Sequence, residues 1–474
     1  MTVISRNPAD PADLLVQLPA PGAFAAADAV ERARTAQAAW QVAGAAARSA
    51  ALGAIADAVE AAAAELAALA VREVGKPLAE ARAEVARTAA IWRYYAQAPY
   101  APTGAVHETA AGPGLLLTRR RPHGVAALIT PWNFPFAIPT WKAAPALAAG
   151  NAVVLKPAPQ ATACARRLAE IVEKALPDGV FTVVPGGATE GGALVSAADV
   201  VSFTGSSAVG RSVVRSATAR GIPVQAEMGG LNAAIVLPDA DFGLAAAHIA
   251  AAIAGYAGQK CTATSRVIAV GTALGPLREA LTEALRAVPV GDPAAEGTVC
   301  GPLIDESART AVTTAWRDLP VLAGGSVPDA PGWYAAPTLV EKVAPGHRLL
   351  REEVFGPVAA LLTATDLDHA VRLSNAARYG LVSSVHTADL GAALHGLDRL
   401  DTGMVRINAP STGVDFHLPF GGSKASSFGP REQGEAALGF YTGSRPGSPR
   451  CGPPPPSRAR RRAGCSPDTR TGAG

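Results

Sequence analysis

Two reactive side chains bracket the segment 226–264, which opens on AEMGG and closes on GQKCTAT. Glu227 lies between an apolar, strand-like run and a Gly-Gly turn. Cys261 follows Gly258, Gln259 and Lys260 at the end of a helix predicted over 244–258. A carboxylate can accept a proton and a thiolate can attack an electron-poor carbon, so the segment offers a base and a nucleophile on one scaffold. The polar neighbours of Cys261 and the cation of Lys260 favour the thiolate. An isolated cysteine is by default a small buried hydrophobe, so the role of Cys261 depends on what the rest of the chain brings to it.

Three other stretches carry candidate chemistry. In TPWNFP, prolines on both sides fix the backbone and set the direction of Asn133, whose amide suits a developing oxyanion or, equally, a helix cap. In FTGSSAVG, residues 203–210, small residues join a strand to a helix whose first N–H groups can face a phosphate, although no GxGxxG fingerprint is present. Lys156, ending NAVVLKP, can reach a ribose or phosphate or simply lie in solvent. In EEVFGP, Glu353 can hold two ribose hydroxyls while Phe355 flanks a flat ring; the plain alternative is an acid-rich turn.

The elements that must position these groups follow from composition and order. The chain has 474 residues, 49% hydrophobic and 17% charged, enough for two or three domains at roughly 100 to 200 residues each. A formal charge of +3, part of it in 458–462, gives no basic face for nucleic acid. Cysteines at 164, 261, 300, 451 and 465 have no Cys-x-x-Cys spacing and no close pairs, which fits a reducing cytoplasm and gives no metal site. No basic-then-apolar leader opens the sequence and no uncharged run reaches bilayer length, so a soluble cytoplasmic protein without a membrane partner is expected.

Residues 1–22 read as extended and 25–98 as two or three long helices broken at Gly44 and at Gly75-Lys76-Pro77; LLLTRRRP reads as a strand of a hairpin. From Gly124, GVAALIT, NAVVLKP, VFTVVPG and VVSFTGS alternate with helices over 140–149, 161–176 and from 208. That order predicts an α/β fold with a parallel sheet and ligands beyond its carboxyl ends. A second βα series runs through IVLPDAD, SRVIAVG, a helix over 276–288, strands near 337–343, VAALL, a helix over 367–379 and MVRIN. After Tyr441 the Pro, Gly, Arg and Ser content predicts disorder and resembles an off-frame translation of a GC-rich gene.

Taken in order, PWNFP, GNAVVLKPA, FTGSSAVG, EMGG, GQKC, EEVFGP and PFGGSKASSFGPREQG resemble the aldehyde dehydrogenase superfamily over nearly the whole chain to Tyr441. The resemblance implies a Rossmann-type dinucleotide-binding domain (1–101 and 123–229), an α/β catalytic domain (230–425) and small β oligomerisation or bridging segments (102–122 and 426–443), to which composition adds a disordered tail (444–474). It implies Cys261 as nucleophile, Glu227 as general base, Asn133 as oxyanion donor, and Lys142 with Glu432 as a relay for protons from Glu227. It places Trp132, Gly205 and Ser206 along the cofactor phosphates and Glu353 with Lys156 at a ribose. A small aldehyde, NAD or NADP, and a homodimer or homotetramer are the implied partners.

Two departures stand out. KPAP puts Pro159 where many NAD-preferring members resemble KPxE, which leans toward NADP or both cofactors; and the sequence from Ser444 lacks the usual basic strand, which weakens the oligomer expectation. GQKCTATSR, STGVDFHLPFGG and FGPREQG are similar to the α-ketoglutaric semialdehyde (2,5-dioxovalerate) dehydrogenase group. A carboxylate-bearing substrate calls for a cation, and His417 and Arg266 are the candidates, with a structural role as the default for each. The competing readings are a thiol esterase without redox chemistry and a silent binding protein.

Overall fold

The computed structural model describes residues 2–110, 114–447 and 472. The run GVAALIT becomes the strand Val125–Ile129, buried at every position because its neighbours in the sheet and helices on the faces remove it from water. Across this sheet the order is Ser427–Phe428, Val224–Glu227, Val200–Thr204, Val125–Ile129, Ala152–Lys156 and Phe181–Val183. All pairs are parallel except the first. Register levels the carboxyl ends: Ile129 faces Lys156 and Phe203, and Thr204 faces Glu227. Lys156, the 130–135 loop, the 205–206 turn and Glu227 therefore emerge along one edge, where parallel α/β sheets bind ligands.

A second sheet runs Val321–Ala323, Thr338–Val340, Val358–Ala364, Thr264–Val270, Asn232–Val236, Val382–His386 and Met404–Ile407. The strand Val382–His386 has no counterpart in the sequence reading. Ser383 and Ser384 break its apolar pattern, yet both are buried, and Ser383 shares a hydrogen bond with Ser374 at 3.2 Å. Residues 2–19 form an antiparallel hairpin, Thr2–Asn7 with Asp10–Pro19. The helical region holds Gly22–Trp40, Gly44–Ala61, Ala63–Val74 and Leu78–Ala96. The extra break falls at Ala62, where neither Gly nor Pro announces it. Trp92, Leu128, Leu147 and Leu155 share one core, each worth about 1.5–3 kcal/mol of burial. No helix among the described residues is long and apolar enough to cross a membrane.

The helix predicted over 244–258 spans Phe242–Ala254 and stops. Tyr256, Ala257 and Gly258 then take left-handed φ values of 53°, 51° and 64°. Tertiary hydrogen bonds override helix propensity here: Tyr256 donates through its hydroxyl to the carbonyl of Val74 (2.9 Å) and through its amide to that of Val299 (3.1 Å). This turn aims the chain at Cys261.

The chain divides into two compact units, 1–101 with 121–443, and 102–120 with 444–474. In the smaller, LLLTRRRP gives the strand Leu116–Pro122, antiparallel to Gly104–His107, with Thr442–Gly447 next to Leu116–Pro122 in the same sheet. Residues 444–447, read from composition as disordered, are thus part of a strand: backbone pairing does not require the apolar side chains that the composition lacks. The remaining tail, apart from Gly472, lies outside the described residues.

Gly258 carries the turn. A Cβ there would sit 2.5 Å from the Gly356 carbonyl oxygen, in a left-handed conformation. Gly258→Ala is expected to lower stability by about 1–3 kcal/mol and to slow alkylation of Cys261 by iodoacetamide. Denaturant unfolding and mass spectrometry measure the two effects, and wild-type values in both would contradict this role.

Candidate active site

Glu227 ends its strand at 2% exposure. Antiparallel pairing with Ser427 brings that hydroxyl onto Oε2, and the Gly422 amide holds Ser427 Oγ at 2.6 Å. The other oxygen, Oε1, is buried without a hydrogen-bond partner among the described residues. Burial pushes the carboxyl well above the usual range and repulsion from Glu432 adds to this, while Ser427, Lys142 and Arg431 pull the other way. Once ionised, a carboxylate in such surroundings is a stronger base than one in water.

Cys261 is half-buried. Asn232 pins its backbone, donating from Nδ2 to the carbonyls of Cys261 (2.8 Å) and Ala263 (2.7 Å). Gln259 anchors the approach, donating to the Pro302 carbonyl at 3.1 Å and accepting from the Ile304 amide at 2.8 Å. Lys260 does not activate the thiol as its position in the sequence suggests: its Nζ pairs with Glu80 at 2.7 Å. Burial raises the thiol, and the carboxylates of Glu353, Glu227 and Glu432 raise it further.

Asn133, 3% exposed, donates from Nδ2 to the Gln259 carbonyl at 2.8 Å, two residues before the nucleophile. Its amide has a second N–H for a developing oxyanion. The capping alternative falls away, because the amides of Phe136 and Ala137 at the start of the helix Ala137–Ala148 are taken by Glu84. On that helix Lys142, 1% exposed, pairs with Glu432 and donates to Ser202 Oγ at 2.8 Å. Trp141 Nε1 holds the other Glu432 oxygen at 2.7 Å. Burial lowers the Lys142 pKa, opposed by Glu432 and Glu227.

The adjoining edge fits a dinucleotide. The Gly205 amide donates to the Glu227 carbonyl at 3.1 Å, and the helix Ser207–Ala219 begins without a capping bond from the Ser206 side chain, leaving a dipole end that suits an anion. Lys156 is not the solvated lysine of the plain reading. It is 6% exposed, donates to the carbonyls of Pro157 (2.8 Å) and Gly186 (3.1 Å), and is brought down to about 8 by burial against the pull of Glu190. Pro159 opens a short turn, Pro159–Ala161. Burial pushes Glu353 up to about 7, opposed by the Gly230 amide at 3.1 Å and by Arg378. A Cβ on Gly229 would lie 1.7 Å from Glu353 Oε2, so a larger residue there would displace the Glu353 carboxylate. Phe355 meets the Trp132 ring edge-on at 5.8 Å.

Arg266 is structural: its guanidinium is spent on the carbonyls of Leu231 (3.1 Å), Leu373 (2.9 Å) and Ser374 (3.1 Å). His417 is exposed, and its ring lies 5.8 Å from that of the half-buried Phe416. Sequence reading missed Ser427, Ser202, Gln259 and Trp141, which hold the reactive groups in place. Trp141 and Gln259 sit beside residues already singled out; nothing local marks the two serines.

The aldehyde dehydrogenase family matches residues 2–445, and the chain belongs to it. It is an NAD(P)-dependent oxidoreductase of aldehydes with the family's α/β fold. It is 39% identical to the alpha-ketoglutaric semialdehyde dehydrogenase of Bacillus subtilis (strain 168) over 450 residues, 92% of each chain. It is 41% identical over 394 residues to the alpha-ketoglutarate semialdehyde dehydrogenase of Haloferax volcanii, 80% of this chain and 81% of that one. The crystal structure of an NAD-dependent aldehyde dehydrogenase from Sinorhizobium meliloti matches with a TM-score of 0.91 at 35% identity, covering 97% of this chain and 93% of that one.

Glu353 loses its charge below about 7 and Lys156 loses its charge above about 8. Cofactor affinity is therefore expected to peak between these values and to weaken severalfold toward about pH 6 and about pH 9. Fluorescence titration with NADP across that range checks this, and a flat profile would contradict the assignment of these two groups to the cofactor.

Proposed function

We propose that the chain oxidises a small carboxylate-bearing semialdehyde, α-ketoglutaric semialdehyde or a close analogue, to the acid with NADP or NAD. The observation that carries the chemistry is the buried, half-partnered Glu227 carboxylate acting electrostatically on the Cys261 thiol, with the Asn133 amide fixed two residues before that thiol. The substrate class is supported by the names of the Bacillus and Haloferax relatives.

In this reading the Cys261 sulfur, once deprotonated, adds to the aldehyde carbon. The Asn133 amide and the Cys261 backbone N–H hold the resulting alkoxide. NAD(P), when bound, supplies the hydride acceptor. Residues 1–101 and 123–229 place it, with Lys156 and Glu353 at a ribose, Gly205 and Ser206 at the phosphates, and Trp132 and Phe355 beside it. Oxidation leaves a thioester on Cys261. Glu227 Oε1 takes a proton from the water that attacks the thioester, and Lys142 with Glu432 passes that proton onward. The products are the carboxylic acid and free Cys261. Residues 230–425 form the catalytic part, and 102–122 with 426–443 bridge copies in a cytoplasmic homodimer or homotetramer.

Reduced-cofactor absorbance with a panel of semialdehydes and simple aliphatic aldehydes tests the substrate. A kcat/KM highest for α-ketoglutaric semialdehyde is expected; equal values for simple aldehydes would refute the substrate class, and ester hydrolysis without NAD(P), with no aldehyde oxidised in its presence, would favour the esterase. Glu227→Gln is expected to lower steady-state kcat by about 10²–10⁴ while one equivalent of reduced cofactor still forms, and unimpaired steady-state turnover would remove Glu227 from the role of base. Because Pro159 stands where a ribose-gripping carboxylate would exclude a 2′-phosphate, Pro159→Glu is expected to shift the kcat/KM ratio toward NAD. An unchanged ratio would contradict the NADP leaning.

A further inference from the structure

Two acidic residues one turn apart on the helix Leu78–Ala96 reach both loops that carry the reactive groups. Glu84, 3% exposed, accepts the amides of Phe136 (2.9 Å) and Ala137 (3.0 Å) on Oε1 and pairs through Oε2 with Lys76. Lys76 is fully buried. Its Nζ lies 3.8 Å from the ring centroid of Phe134 and 4.8 Å from that of Tyr256. Glu80, on the same face, holds Lys260 at 2.7 Å. Phe134 and Phe136 follow Asn133 in the chain, whereas Tyr256 and Lys260 precede Cys261. One ammonium thus touches a ring from each loop, and the two carboxylates tie down the same two loops.

A buried ion pair is a weak source of stability, because desolvation costs several kcal/mol per ion and well-packed apolar side chains of similar volume are often as good or better. What the pair supplies here, and an apolar pair does not, is direction. The carboxylate fixes two backbone amides, and the ammonium is attracted to the faces of two rings at once.

We propose that Lys76 and Glu84, with Glu80 and Lys260 as an outer strut, are positioning residues that hold the Asn133 loop in register with the Cys261 loop. The inference rests on the reading of Asn133 as the oxyanion donor. Charge, rather than hydrogen-bond acceptance, is the decisive property of Glu84, since a glutamine there would still offer an oxygen to the two amides.

The test is a mutant cycle on the full chain: wild type, Lys76→Met with Glu84→Gln, Asn133→Ala, and the three changes together. The Lys76→Met and Glu84→Gln pair is expected to lower kcat by about tenfold or more, with the cofactor KM within about twofold of wild type, and the loss should shrink to under about twofold in the Asn133→Ala background, where the side-chain donor that the pair would position is already gone. The same fold-loss in both backgrounds, or wild-type kcat for the folded double variant, would overturn the proposal. A wild-type kcat for Asn133→Ala alone would instead remove the reading on which the proposal rests, and the proposal with it. Glu80→Gln, at a partly exposed position, gives the same comparison without touching the buried pair. It is expected to lower kcat about threefold in the wild-type background and not in Asn133→Ala, and an unchanged kcat in the wild-type background would count against the strut.

Discussion

Charge held out of water is the constraint around which this molecule is arranged. Glu84, Lys76, Lys142, Glu227 and Glu432 are each 3% exposed or less, and such groups persist only where partners replace the lost solvent. Glu432 is matched by Lys142, Ser202 and Trp141; Glu84 is matched by Lys76 and two amides. Glu227 is the exception. Ser427 satisfies one oxygen and leaves the other without a partner among the described residues. A buried unmatched carboxylate oxygen invites a functional explanation, and a hydrolytic water is the partner that the chemistry calls for.

The fold makes this arrangement possible by levelling strand ends. Lys156, the 130–135 loop, the 205–206 turn and Glu227 belong to adjacent strands of one parallel sheet, while Cys261 enters from the segment before Thr264–Val270 of the other. The left-handed turn at 256–258, tied to Val74 and Val299, fixes the direction of that entry. The thiol gains no help from Lys260, which belongs to Glu80. Its environment of burial and carboxylates raises the thiol instead of favouring the thiolate.

Cys261, Glu227 and Asn133 could be singled out in the sequence because each sits in a short motif, and the roles proposed for them came from the resemblance carried by the ordered set of motifs. The groups that hold them were not, since chain separation hides them: Ser427 lies 200 residues from Glu227 and Gln259 lies 126 from Asn133. The parallel strands of the first sheet were readable as apolar runs. Val382–His386 was not, because two buried serines interrupt it, and the end of the helix at Ala254 was not, because tertiary hydrogen bonds of Tyr256 rather than a breaker residue impose it. Local position also misled at Lys260, where adjacency to the thiol in sequence did not become adjacency of charge.

Mass spectrometry of protein quenched within the first turnover tests the central claim most directly. With an oxidisable semialdehyde and NADP, the peptide containing Cys261 should gain the mass of the corresponding acyl group, and the adduct should be released by hydroxylamine. An unmodified Cys261 during active turnover, or an acyl group on Cys164 or Cys300 instead, would contradict the account.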